Sequence, residues 1–216
     1  MNSIVTFPNR IPTTEFEERR FKVYTDRQLD KIEVIQNLPE ETLFEMKVVA
    51  SVLPFRVNEY VINELINWDK VPNDPIYQLV FPQKGMLKEE HYERMATMHR
   101  EGADKKEIQA VAKEIRDELN PHPAGQMEMN MPELDGEVLD GVQHKYRETV
   151  LFFPAQGQTC HSYCTFCFRW AQFVGDKDLK MASTEAEKLH GYLQEHTEVT
   201  DLLVTGGDPM VMKTKN

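Results

Sequence analysis

Residues 149–153, Thr-Val-Leu-Phe-Phe, and residues 201–205, Asp-Leu-Leu-Val-Thr, frame the part of the chain that decides its fold. Each is a short run of β-branched, aliphatic or aromatic residues closed by a breaking signal, Pro154 after the first and Gly206-Gly207 after the second. Runs of this kind predict buried strands. Between them, Thr184 and Glu187 have the spacing of a capping box for a helix reaching about His196, with Ala186, Leu189 and Leu193 on one face. Strand, helix, strand predicts a βαβ unit with parallel strands. The loops after both strands then open at one end, where parallel α/β proteins gather their ligands.

The first of these loops carries every cysteine of the chain, in Cys160-His-Ser-Tyr-Cys164-Thr-Phe-Cys167. Three thiols so close together make a poor disulfide framework, because any local pairing leaves one over. A reduced compartment and a metal role fit better. Thiolates ligate iron–sulfur clusters, and C-x3-C-x2-C lets one loop wrap several corners of a cubane. Three thiolates leave the fourth iron of a 4Fe-4S cluster open to another molecule, as a catalytic metal keeps an open position. The alternative is a zinc site completed by His161 or His144, although zinc sites more often use paired C-x2-C knuckles. The second loop reads Thr205-Gly206-Gly207-Asp208-Pro209. Glycines permit close backbone approach and a carboxylate suits an ammonium group. Alone this is an ordinary turn; opposite the cysteines it becomes part of a site.

Composition narrows the partners. The 216 residues carry 25 Lys+Arg against 36 Asp+Glu, a net charge of −11, which argues against a surface built for nucleic acid. Met1–Arg10 lacks the pattern of a secretory signal. No uninterrupted apolar run approaches the ~20 residues that span a bilayer. A cytoplasmic protein acting away from membranes is predicted.

The first 120 residues read as helical. Pro39 suits a first helical position before Glu40 and Glu41, and Leu43, Met46, Val49 and Leu53 recur at helical spacing until Pro54. Asn58 is a good N-cap for a short helix to about Ile66. Residues 69–85, with Pro72, Pro75 and Pro82, predict an extended or looped segment. A helix follows near Leu87–Arg100, and another starts at Asp104 with an Ile108, Val111, Ala112, Ile115, Leu119 stripe. Residues 121–148 predict a connector rich in proline and glycine near its start, and 149–216 the beginning of a second domain.

With these motifs in view, the C-x3-C-x2-C pattern with Phe166 before its last cysteine resembles the radical SAM superfamily. The resemblance implies that Cys160, Cys164 and Cys167 hold a 4Fe-4S cluster whose open iron binds the amino and carboxylate groups of S-adenosylmethionine. One electron then cleaves a carbon–sulfur bond to give the 5′-deoxyadenosyl radical. It implies that Phe166, Gly206, Gly207 and Asp208 border the cofactor. The flanks are similar to the lysine 2,3-aminomutase family: Leu53–Pro82, Asn120-Pro-His-Pro, His144-Lys-Tyr-Arg-Glu-Thr-Val-Leu-Phe-Phe, and Phe168-Arg169-Trp170 after the last cysteine. By that resemblance Arg169 lies close to substrate carboxylate and cofactor, and counts as catalytic. Tyr163, Phe166, Phe168 and Trp170 either shield the cluster or simply pack.

The fold implied is α/β: a helical N-terminal region, then the first two strands of a partial (β/α) barrel, apparently truncated. The activity implied is radical migration of an amino group on an amino acid held by pyridoxal phosphate, with an electron donor such as flavodoxin or ferredoxin and, for the complete protein, self-assembly. The family's pyridoxal-phosphate lysine lies beyond the second strand, so neither Lys213 nor Lys215 is expected to form the Schiff base. Thr165, Phe166 and Phe168 replace more basic residues of the best-known aminomutases, leaving the amino acid open. The competing readings are a radical SAM reaction without pyridoxal phosphate and a non-enzymatic zinc-binding module.

Overall fold

A computed structural model describes residues 22–119, 129–160, 162–164, 181–208 and 212. It is a mixed helix-and-sheet protein with three small sheets among the described residues. None of its helices is long and apolar enough to cross a membrane, among the described residues.

Strand β1 (Val23–Thr25) pairs antiparallel with β2 (Arg56–Asn58). Between them lie two 3-10 turns and helix α1 (Glu40–Val52). Pro39 sits just before α1 as its N-cap, one place earlier than its φ-restricted ring suggests. The predicted apolar stripe of α1 is too narrow. Met46 and Ala50 enter one core cluster while Val48, Val49 and Val52 enter another, so α1 is the wall between two cores. Asn58 does cap: its Oδ1 accepts from Val61 N–H at 2.9 Å. The helix it starts runs over residues 59–65, close to the expected span, and its stretch Val61–Leu65 is a π turn.

Residues 69–85 differ from expectation in a way that matters for the site. They contain helix α2 (Pro75–Val80). Asp74 is its N-cap, accepting from Tyr77 N–H at 2.8 Å, and Pro75 takes the first helical position, where its missing N–H costs nothing. That hydrogen bond is the main reason the Asp74 carboxyl is held below its ordinary value. Tyr77 stacks on Phe81 with ring centroids 5.2 Å apart, and Trp68 meets both edge-on. The prolines therefore bracket a helix rather than exclude one.

Helices α3 (Glu89–Arg100) and α4 (Lys105–Leu119) complete the second cluster. Ala112 and Ile115 are buried, with Ile108, Val111 and Leu119 packed against the cluster, as the stripe predicts. The Arg116 guanidinium donates to the carbonyls of Ser51 and Val52, satisfying oxygens at the end of α1 that have no intrahelical partner.

Among the described residues, the sheet that carries the cysteine loop has three strands, β5 (Val142–Tyr146), β6 (Thr149–Phe152) and β7 (Asp201–Val204), hydrogen-bonded in that order. Strand β6 (Thr149–Phe152) and β7 (Asp201–Val204) are parallel, register Thr149↔Asp201 to Phe152↔Val204, with α5 (Ala186–Glu195) between them in sequence. The predicted βαβ unit is present. The predicted two-strand start is not the whole sheet, however. Strand β5 (Val142–Tyr146) pairs antiparallel with the other edge of β6, inside the segment expected to be a connector. A hairpin of β3 (Glu133–Leu134) and β4 (Glu137–Val138) precedes it. Val142, Val150 and Phe152 pack with Leu189 and Tyr192 of α5 in the third cluster.

The predicted capping box does not form at α5. The helix starts at Ala186, and Glu185 N–H donates to Ser183 Oγ at 3.0 Å instead. Ser183 is held extended beside β6, donating from N–H to Phe153 and accepting from Ala155, which leaves Thr184 as link rather than cap.

Candidate functional site

The chain leaves β6 at Phe152 and turns through Ala155–Gly157 to Cys160. It leaves β7 at Val204 and enters Gly206-Gly207-Asp208. Because the strands are parallel and in register, the two loops emerge side by side. They are hydrogen-bonded to each other: Asp208 N–H donates to Thr159 O at 2.7 Å and to Gly157 O at 3.1 Å, and Thr205 N–H donates to Phe152 O at 2.8 Å.

The glycines make that contact sterically feasible. Gly206 has φ of +101°, a conformation L side chains rarely adopt, and a Cβ there would strike the Phe153 ring. A Cβ on Gly207 would overlap Gly157 O and approach Thr159 O and N to 2.7 and 2.8 Å. Two backbones thus touch where any side chain would force them apart.

On the cysteine loop, Cys160 is half-buried and Cys164 exposed. Ser162 N–H donates to Cys160 Sγ at 3.5 Å, which orients the thiol within the loop. The two thiols lie on one short segment that keeps one of them open to solvent. This donor set suits an iron–sulfur cluster, and the glycine cradle beside it suits close approach of a small molecule. Cys167, Phe166 and Arg169 lie outside the described residues, as do His161, Phe168, Trp170, Lys213 and Lys215. Among the described residues 153–160, 162–164 and 205–208 there is no lysine to form a Schiff base with pyridoxal phosphate.

The loop is also tied to the helical region. Tyr163 N–H donates to Leu79 O at 2.8 Å. Leu79 lies in the last turn of α2, where carbonyls lack intrahelical partners, so the cysteine loop completes that helix end. The Tyr163 hydroxyl is buried without a hydrogen-bond partner among the described residues, and burial raises its pKa. This tether involves main-chain atoms 84 positions apart by residue number, Leu79 and Tyr163, and no sequence motif announces it.

His144, one of the two histidines considered for a zinc site, is otherwise engaged. Its Nδ1 lies 2.6 Å from Tyr192 Oη and its Nε2 3.2 Å from Arg147 O, on the face of β5 that packs against α5.

The chain is similar in sequence to proteins named as lysine 2,3-aminomutases. The Aquifex aeolicus protein named "Putative L-lysine 2,3-aminomutase" is 31% identical over 183 residues, 85% of this chain and 38% of that protein. The L-lysine 2,3-aminomutase of Bacillus subtilis is 22% identical over 189 residues, covering 88% of this chain and 32% of its own. That of Clostridium subterminale is 30% identical over 95 residues, 44% of this chain and 22% of its own. The chain thus spans well under half the length of each of these relatives. No protein-family profile and no solved structure matches it.

Proposed function

Because the chain belongs to the lysine 2,3-aminomutase family of radical SAM proteins, we propose that residues 149–208 supply its cluster-and-cofactor site, for a radical rearrangement of an amino acid. The observation that carries the reading is the direct bonding of Asp208 to Thr159, which sets the Gly-Gly-Asp loop against the cysteine loop.

Cys160, Cys164 and Cys167 would hold the cluster, which when bound supplies the electron that opens S-adenosylmethionine. This chain's residues do the rest. Gly206 and Gly207 let backbone approach the cofactor, and the Asp208 carboxylate meets its ammonium group. Phe166 borders the cofactor, and Arg169 meets a substrate carboxylate by a charge-assisted pair. Tyr163 fixes the cysteine loop against α2. We propose further that β6, α5 and β7 begin a parallel barrel, that the region before residue 120 is a separate helical layer, and that a flavodoxin- or ferredoxin-type donor delivers the electron. Migration of an amino group on an amino acid is the activity proposed for the complete protein. The family's pyridoxal phosphate finds no lysine in the described loops.

The test is S-adenosylmethionine binding to anaerobically reconstituted protein. Asp208→Ala should weaken binding by about tenfold or more, the equivalent of one charge-assisted hydrogen bond, while iron content stays intact. Unchanged affinity in that variant would refute the role of Asp208.

A further inference from the structure

We propose that Glu90, His91 and Glu118 form a binding site for a divalent transition-metal ion of the zinc type, where the first turn of α3 meets the last turn of α4. One ligand atom from each of the three lies within 4.8 Å of the other two. Glu90 and Glu118 are exposed, and exposed carboxylates alone mean little. The informative residue is His91, only 7% exposed. Its Nε2 is buried and, among the described residues, has no partner in good hydrogen-bond alignment, although it is paired with Glu118 Oε1 at 3.3 Å.

That combination is unusual. A buried imidazole nitrogen normally finds a partner, and here a carboxylate oxygen is within reach but out of line. Two ligands of one tetrahedral ion are spaced in just this way. With nitrogen and oxygen each about 2.1 Å from zinc, their separation is roughly 3.4 Å, and neither points at the other because both point at the metal. One imidazole and two carboxylates form a ligand set that zinc accepts, with water completing the shell.

Three further charges bear on the site. Lys88 Nζ lies 2.9 Å from the same Glu118 oxygen and competes for it; its side chain is exposed and long enough to swing aside. The N-terminal end of α3 carries partial positive charge and the C-terminal end of α4 partial negative charge, so the two helix ends roughly offset. The competing reading is His91 simply paired with Glu118, and the experiment separates the two.

Zinc chloride is titrated calorimetrically into the full chain carrying Cys160→Ser, Cys164→Ser and Cys167→Ser, which removes the thiol ligands. One equivalent should bind. His91→Asn and Glu118→Gln should each weaken binding by about tenfold or more, and Lys88→Met should tighten it. Cobalt(II) added to the cysteine-intact chain gives a second readout if the cysteine-free chain does not fold. The site should add visible ligand-field bands beyond those of the cysteine-bound ion, and the added bands should be lost in His91→Asn. No zinc uptake by a folded cysteine-free chain, uptake indifferent to both variants, or cobalt bands only of thiolate type would overturn the proposal.

Discussion

The backbone N–H of Asp208 donates to the carbonyl of Thr159 at 2.7 Å, one residue before Cys160. Through that bond the end of β7 is fastened to the start of the cysteine loop. The arrangement relies on parallel pairing of Phe152 with Val204, which brings both loops out at one level. It also relies on two residues without side chains at the point of closest approach.

Gly207→Ala should break the fastening. Its new Cβ meets backbone atoms of Gly157 and Thr159 rather than a flexible side-chain end, so one loop must move. Overpacking of this kind costs about 1–3 kcal/mol, here charged against loop docking. S-adenosylmethionine affinity should fall by about 10–100-fold. Far-ultraviolet circular dichroism of the helical region should not change, and a variant with wild-type affinity would contradict the steric assignment.

Two changes at Tyr163 should part company. Tyr163→Phe deletes a buried hydroxyl that has no partner among the described residues, so stability should hold or rise by up to about 1 kcal/mol. Tyr163→Ala removes a half-buried ring while keeping the main-chain bond to Leu79 O, and should cost about 2 kcal/mol. Urea denaturation measures both. Equal losses in the two variants would show that the hydroxyl is bonded after all.

The parts of the fold legible in the sequence are those set by local pattern. The Thr149–Phe152 and Asp201–Val204 strands and the α4 stripe appear where periodicity and chain breakers place them. Helix α2 was obscured because Pro72, Pro75 and Pro82 read as breakers, although Asp74-Pro75 is a legible cap and first turn. The β3–β4 hairpin had a signal too: Asp135-Gly136, both with positive φ, is a two-residue hairpin turn. Strand β5, Val-Gln-His-Lys-Tyr, is too polar to be recognised alone, and its pairing with β6 supplies the reason it is extended. In the site, residue types announced the cysteines and glycines. The Thr159 carbonyl and the Leu79–Tyr163 tether are main-chain contacts between distant segments, which no residue type encodes.

Acid should weaken the helical region through His99. Burial, with a smaller push from Lys47, lowers its pKa from 6.5. The folded state therefore prefers the neutral ring, while the unfolded chain takes up a proton below 6.5. The stability is fully present above that pH and declines as pH falls from 6.5 through the lower folded value. His99→Gln should flatten this part of the stability profile, read by thermal melts between pH 7 and 5. An unchanged slope would mean that other groups govern it.

Strand β7 leaves apolar side chains in water. Leu202, Leu203 and Val204 are 42%, 52% and 40% exposed, and among the described strands β7 is an edge of its sheet. Edges of this kind recruit other strands. This 216-residue chain should self-associate with rising concentration, and Leu203→Lys should reduce the effect in sedimentation-velocity runs. A wild-type chain that stays monomeric at high concentration would show that β7 is protected.

Electron paramagnetic resonance of the anaerobically reconstituted, reduced protein, with and without S-adenosylmethionine, tests the central claim most directly. A 4Fe-4S signal is expected that changes shape when S-adenosylmethionine is added and disappears when Cys160, Cys164 or Cys167 is replaced by Ala. Zinc held by those three cysteines with no acid-labile sulfide, or a cluster signal indifferent to S-adenosylmethionine, would contradict it.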